Sequence, residues 1–231
     1  MTVTVIAEIG SSPAPAWDFR AWCDAAQQAG ATAIKAQMFR ADHFPEAERE
    51  SKYPLEFPRH RLDGFVALAR SYGLQAGVSV FDEDAVRRAG AACDFLKLAA
   101  REASNSSLII KAFAEAQRHN CPLYRSITAL DDFYHLPHIV HFWTIPSYPA
   151  PLALSLLRVV RAARFFNYYR KPWGWSSHTR GTADVLLAVW LGATVIEKHL
   201  SIDPSDIESG HSLTVPQFAR MSSAIRRYER K

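Results

Sequence analysis

Cysteine is scarce and unpatterned. The chain has three, Cys23, Cys93 and Cys121, with no CxxC pair and no even framework, so a disulfide scaffold is not expected; they suit core positions in a reducing cytoplasm. Long apolar runs are also missing. No uninterrupted stretch reaches the ~18 residues of a membrane span, and the opening MTVTVIAEIG has no basic leader before a long apolar segment, so no membrane segment or signal peptide is expected. Blocks of one charge sign are absent apart from the tail RRYERK, at a formal charge of +4, and nucleic acid is not an expected partner. The mild basic excess fits an anionic small substrate, or merely a solvated basic face. Glycine is sparse as well. Only Gly10 follows the first apolar run, where a doubly wound dinucleotide fold would place a Gly-rich phosphate loop. No Gly/Ser-rich linker divides the chain, so 1–231 reads as one domain.

What is present is an alternation of short β-rich runs with longer helical patterns. Strand candidates are 2–9, 33–39, 75–81, 94–99, 122–127, 139–145, 173–177 and 194–200. Between them, AWDFRAWCDAAQQAG and RHRLDGFVALARSYG place apolar residues at helical spacing and close on Gly30 and Gly73, as helix ends commonly do. Helical patterns follow at 82–90, 105–120, 150–166, 181–193 and 215–231, with ALDDFYHL (129–136) a short fifth in the series. Parallel strands need crossover helices, and eight right-handed crossovers close on themselves. The expected fold is α/β, a single (β/α)8 TIM barrel. The long polar excursion 40–60, with three prolines, reads as a loop over the active face, an oligomer contact or a solvated loop.

In such barrels the chemistry gathers at the C-terminal ends of the strands. Alternation selects the inward side chains: Glu8 on the first strand, Lys35 and Gln37 on the second, Ser79 on the third and Lys97 on the fourth. Ser126 ends the fifth, Ser176 and His178 end the seventh, and Glu197 and His199 end the eighth. A lysine in a run as apolar as FLKLA must meet an anion, because an unpaired buried charge is strongly unfavourable. Lys97 therefore either binds a substrate anion or pairs with Glu8 or Glu102 for structure. Two histidines from neighbouring strands are a reasonable pair for a divalent cation, although an isolated histidine on a strand is more often hydrogen-bonded core.

The motifs AEIG (7–10), IKAQMF (34–39), FDEDAV (81–86), FLKLAAREASN (95–105), SYPAP (147–151), GWSSHTRG (174–181) and VIEKHLSID (195–203) stand in this order along the chain. Together they resemble the sialic acid synthase (NeuB-like) family over nearly the whole length. The resemblance implies a barrel that condenses phosphoenolpyruvate with an N-acylated hexosamine, giving a nine-carbon 2-keto acid and phosphate in the cytoplasm. It implies His178 and His199 as ligands of Mn²⁺ or Mg²⁺. Lys97, Ser126, Ser176 and Ser79, with Lys35 nearby, correspond to phosphoenolpyruvate contacts; Glu8, Gln37 and Tyr148 correspond to groups that hold the sugar. Glu102 and Asn105 match the fourth-strand motif, Glu8 or Glu102 would move protons, and Glu197 lies beside the ligand pair. A homodimer is the expected assembly.

The chain also departs from that pattern. Ser11, Ser12 and Pro13 follow AEIG where the family has Asn-His, and Ala100-Arg101 replaces Ser-Gly. STGM becomes SITA at 126–129, Pro146-Ser147 shifts the polar residue before YP, and Ser177 replaces an aspartate. Gly210 stands where the PGPDH motif has its acid, leaving Glu208 as a stand-in. With the last helical pattern at 215–231, the resemblance covers the barrel alone, and the family's C-terminal antifreeze-like domain is not expected unless a separate lid protein supplies its role. Three readings follow: a synthase with an altered aldehyde acceptor, a barrel lyase or aldolase with altered substrate, or a non-catalytic homologue acting as a binding partner. Retained Lys97, Ser176, His178, Glu197 and His199 favour the first, and the changes at Ala100 and Pro146 favour the others.

Overall fold

The computed structural model describes residues 2–10, 17–129, 132–133, 138–203, 208 and 210–230. Eight parallel strands run in chain order: β1 (Thr4–Glu8), β2 (Ala33–Met38), β3 (Gln75–Val80), β4 (Phe95–Leu98), β5 (Leu123–Ile127), β6 (Ile139–Thr144), β7 (Trp173–Ser177) and β8 (Val195–Ser201). Pairing of β8 with β1 closes the sheet, so the expected TIM barrel is what forms. A two-residue strand, β9 (Leu213–Thr214), adds to the end of β8.

The helices are α1 (Phe19–Gln28), α2 (Glu46–Lys52), α3 (Leu62–Ser71), α4 (Glu83–Ala92), α5 (Ser106–Arg118), α6 (Leu152–Tyr168), α7 (Ala183–Trp190) and α8 (Val215–Glu229). Local chemistry sets several of their starts. The Asp18 side chain accepts from the Arg20 and Ala21 amides, Asp82 from the Ala85 amide, and Asn105 from the Leu108 amide; each side chain satisfies backbone donors that a helix start leaves open. Thr214 and Gln217 form a reciprocal capping box at α8. The outer core lies between sheet and helices, where Trp22, Trp143, Trp173 and Trp175 are fully buried. Cys23 and Cys93 are buried there too, Cys121 is half-buried, and all three are free thiols. No helix among the described residues is long and apolar enough to cross a membrane.

Two expectations are revised. The excursion 40–60 is not a plain loop: it carries α2 and short 3₁₀ turns at Ala41–His43, Tyr53–Leu55 and Arg59–Arg61. Among the described residues no α-helix separates β5 from β6, and most of the helix expected at 129–136 falls on residues 130–131 and 134–137, outside the described residues.

Inside the barrel, a lower layer of Ile6, Ala33, Phe95, Tyr124, Phe142 and Val195 plugs the bottom. Three rings fill most of that space, with Tyr124 5.1 Å from both Phe95 and Phe142, centroid to centroid. They fit because β3 offers Gly77 beside them: a Cβ there would lie 2.2 Å from the Phe95 ring, a separation real Cβ atoms do not show. Polar inward residues are thereby confined to the layers above the plug. Gly77→Ala should destabilise the protein by about 1–3 kcal/mol through overpacking, measured by denaturant unfolding, and adding Phe95→Leu should restore part of the loss. An unchanged midpoint in the single variant would contradict this packing.

Candidate active site

Above the aromatic plug a cavity of about 390 Å³ opens at the C-terminal ends of the strands, where barrel enzymes carry their chemistry. Its floor is a set of four buried charges from four strands. Lys97 Nζ lies 2.5 Å from Glu197 Oε1, which also accepts from Ser176 Oγ at 2.8 Å. Glu197 Oε2 lies 3.6 Å from Lys35 Nζ, and Lys35 in turn pairs with Glu8 and donates to Ser79 Oγ at 2.7 Å. Glu8 Oε1 accepts from the Gly10 amide at 2.9 Å and from Gln37 Nε2 at 3.1 Å. All four charged residues are no more than 3% exposed. Of the partners expected for Lys97, neither Glu8 nor Glu102 is its ion-pair mate; Glu197, one hundred residues along the chain, takes that place.

Burial opposes every one of these charges, and the pairing decides which survive. Burial would raise the Glu197 pKa, but Lys35 and Lys97 hold it well below the usual carboxylate range. Burial would likewise lower Lys35, yet Glu197 and Glu8 together raise it. Lys97 has one close carboxylate and a neighbouring ammonium, so burial, helped by Lys35, brings its pKa down. Of the two floor lysines it is the readier to give up a proton.

Over the floor, three imidazoles and a phenol ring converge. The His178 and His199 rings are 5.6 Å apart between centroids, and His211 lies 4.6 Å from His199. Tyr148 packs at 4.2 Å from His178 and 4.8 Å from His211. His178 Nδ1–H donates to the Ile145 carbonyl at 2.7 Å, and His199 Nδ1–H donates to Glu208 Oε2 at 2.7 Å. A ring that spends Nδ1–H on an oxygen presents Nε2 as its free ligating atom. Burial pushes the His178 pKa down to about 3, and burial with His199 pushes His211 down to about 4. For His199 burial also acts downward, but the Glu208 carboxylate outweighs it and the pKa rises.

This arrangement suits a cation. His199, Glu208 and His211 each bring a ligand atom within 4.8 Å of the others, and the buried His211 Nε2 has no hydrogen-bond partner. Of the expected pair, this group holds His199 but not His178; it adds His211, which alternation along β8 did not select because it lies on the segment beyond that strand. Glu208 can approach only because residue 10 is glycine, at φ +73°: a Cβ there would sit 1.9 Å from Glu208 Oε2. Behind the rim, Lys198 Nζ donates to the Thr179 carbonyl and to Ser177 Oγ (3.2 Å). Asp184 accepts from Thr179 Oγ1 and from Trp175 Nε1, both at 2.8 Å. This rear network ties the residues on both sides of His178 to β8.

Ser126 and Thr144 also line the cavity. Glu102 and Asn105 do not; the chain turns through a 3₁₀ segment at Ala100–Glu102, after which Asn105 caps α5 and donates to Glu102 Oε2 at 2.9 Å. The structure therefore does not bring these two together with the other expected site residues at the cavity. Lining residues outside the expected set, among them Phe44, Lys52, Phe81 and Arg101, come from the segments that follow β2, β3 and β4. Of the departures after AEIG, Ser11, Ser12 and Pro13 lie outside the described residues.

The charged floor makes a stability prediction. Because its folded-state pKa is depressed, Glu197 contributes stability that is present above the ordinary glutamate range and is lost as the pH falls through the lower folded value. Glu197→Gln should cost about 3–5 kcal/mol at pH 7 by stranding buried lysine charge, and should flatten the acid limb of stability against pH. Denaturant unfolding from pH 3 to 8 reads both, and a loss under ~1 kcal/mol at pH 7 would refute the dependence.

The chain is similar to several known proteins. The NeuB family model matches residues 136–231. A 94-residue stretch is 32% identical to a protein of Methanocaldococcus jannaschii described as uncharacterized, over 40% of this chain, and spans only 27% of that relative's length. Among solved structures, the N-acetylneuraminic acid synthetase of Leptospira borgpetersenii aligns with TM-score 0.87 and 20% identity, over 100% of this chain and 85% of its own. A spore coat polysaccharide biosynthesis protein of Bacillus subtilis aligns with TM-score 0.81 and 26% identity, over 99% and 68%. A truncated 3-deoxy-D-arabino-heptulosonate 7-phosphate synthase of Thermotoga maritima shares the fold at 14% identity and TM-score 0.73, over 99% and 87%. The NeuB family model thus matches the C-terminal part of this chain, residues 136–231, and the barrel fold is similar to these solved structures along its whole length.

Proposed function

We propose that this cavity joins phosphoenolpyruvate to an aldehyde, releasing phosphate and a 2-keto acid. The observation that carries the reading is the juxtaposition of a lysine- and hydroxyl-lined floor with two imidazoles that both keep Nε2 free. Lys97, with Ser79, Ser126 and Ser176 around it, would take the carboxylate and phosphate of phosphoenolpyruvate, since ammonium and hydroxyl donors preset in a dry site stabilise anions without reorganising. His178 and His199, with His211 and Glu208 beside them, would hold Mn²⁺ or Mg²⁺, which when bound supplies Lewis-acid polarisation of the acceptor carbonyl.

The remaining work falls to protein groups. Carbon 3 of the enol forms the new bond to the aldehyde carbon, water adds at carbon 2, and the bond from carbon 2 to the phosphate oxygen breaks. Glu8, oriented by Lys35, Gln37 and the Gly10 amide, is positioned to take the proton from that water. Lys97, with its lowered pKa, is the group to deliver one to the new alkoxide. Tyr148 and Gln37, which line the cavity, would hold the acceptor.

The test is phosphate release from phosphoenolpyruvate with Mn²⁺ and a panel of aldehydes, with the 2-keto acid product confirmed by mass. A chelator should abolish turnover and added Mn²⁺ restore it, while Lys97→Met should lower kcat/KM by about a hundredfold or more. Absence of phosphate release with every aldehyde, together with no calorimetric binding of phosphoenolpyruvate, would overturn the reading in favour of a non-catalytic binding role.

A further inference from the structure

The cavity has two sides of opposite character. In a closed sheet of eight strands in chain order, the loops after β2, β3 and β4 face those after β6, β7 and β8 across the mouth. The second side holds the imidazoles, Tyr148 and Glu208. The first holds Arg101 and Lys52, both lining the cavity and both set on the same aromatic ring. The Arg101 guanidinium lies 4.5 Å from the Phe44 centroid and 5.6 Å from that of Phe81, and its Nη2 donates to the His43 carbonyl at 2.8 Å. Lys52 Nζ lies 5.1 Å from the Phe44 centroid.

These two cations differ from those on the floor in one respect. Lys35 and Lys97 are matched by Glu8 and Glu197. Lys52 has no carboxylate within ion-pair distance among the described residues, and the nearest to Arg101, Glu102, is 3.6 Å from Nε and lines no part of the cavity. Aromatic faces hold both heads in place without neutralising them, and a fixed guanidinium is the side chain best matched to phosphate oxygens.

We propose that Arg101 and Lys52 form a phosphomonoester site that takes the terminal phosphate of the acceptor, whose reactive carbonyl is turned towards His178 and His199 across the mouth. The assignment of the acceptor's reactive end rests on the condensation reading; the anion site itself does not. The acceptor class is thus an aldose phosphate rather than a neutral sugar. Binding reaches the far wall, so the phosphate serves both as an affinity anchor and as a ruler for the aldehyde.

Calorimetry on the intact chain tests this without turnover, using ribose 5-phosphate against ribose, mannose 6-phosphate against mannose, and phosphoenolpyruvate separately. At least one aldose phosphate should bind, with its unphosphorylated partner at least about tenfold weaker. Arg101→Ala and Lys52→Ala should each weaken that aldose phosphate, Arg101→Ala by about tenfold or more, while phosphoenolpyruvate binding changes by less than about twofold. Both residues are partly solvent-exposed, and Lys52→Glu, which removes no packing at the floor, should abolish the preference for the phosphorylated form. Equal binding of the paired aldoses, no binding of either phosphate, or an Arg101→Ala loss that falls on phosphoenolpyruvate instead would each overturn the proposal. Failure of the condensation itself is read separately, as absent phosphate release.

Discussion

Two carboxylates and two ammonium groups share the dry floor of this barrel, linked in the order Lys97, Glu197, Lys35, Glu8. Each would be unsupportable there alone, since moving one such ion out of water costs several kcal/mol even after relaxation. They are tolerable as a set because charge alternates along it and because Ser79, Ser176, Gln37 and the Gly10 amide take up further hydrogen bonds. The groups come from β1, β2, β4 and β8, so the chain can form the set only when the sheet closes. Below it, Phe95, Tyr124 and Phe142 seal the barrel, and Lys97 Nζ stands 4.9 Å from the Phe142 ring centroid. The aromatic plug therefore does two things: it fills the lower barrel and it keeps the charges at a fixed depth below the mouth.

The same strand, β8, also organises the layer above. Its inward residues Glu197 and His199 face the cavity, and Lys198 between them faces the helices, where it is fully buried. There it meets the Thr179 carbonyl and Ser177 Oγ, next to the Asp184 carboxylate that holds Thr179 and Trp175. Burial brings the Lys198 pKa down to about 8, countered by Asp184. A buried polar network of this kind is satisfied in only one register of β7 against β8. Register sets which side chains face inward, so the rear network and the imidazole pair depend on the same alignment.

Much of this was legible in the alternation of single strands. Glu8, Lys35, Gln37, Ser79, Lys97, Ser126, Ser176, His178, Glu197 and His199 all line the cavity, because a period of two leaves no freedom about which face a strand residue occupies. The sequence pattern failed where the chain leaves the strands. His211 and Lys52 lie outside the eight barrel strands, and nothing in their local spacing reports that the barrel folds them over the mouth. Glu102 and Asn105 failed in the opposite sense: they follow Lys97 closely enough to look like one motif, but the 3₁₀ turn after β4 rotates them off the cavity and the α5 start claims Asn105 as a cap. The partner of Lys97 was hidden for a different reason, since Lys97 and Glu197 are one hundred residues apart and only closure of the sheet brings them together.

The seam at which the barrel closes is also where the most basic of the three cavity imidazoles is tuned, and this links the two layers. β1 and β8 pair with Glu8 opposite His199. The turn after Glu8 carries Gly10, whose amide binds Glu8 and whose missing side chain is the space that the Glu208 carboxylate occupies. Glu208 then accepts the His199 Nδ1–H, which fixes the direction of Nε2 and raises the basicity of the ring. A side chain at position 10 would move Glu208, so that His199 would lose its orienting partner, and would strain the backbone whose amide holds Glu8. The position of the imidazoles is thus set from the closure seam on one side and from the Lys198 network on the other. The acid at residue 208 is thus what keeps His199 oriented, and it does so from a segment that β8 itself does not include.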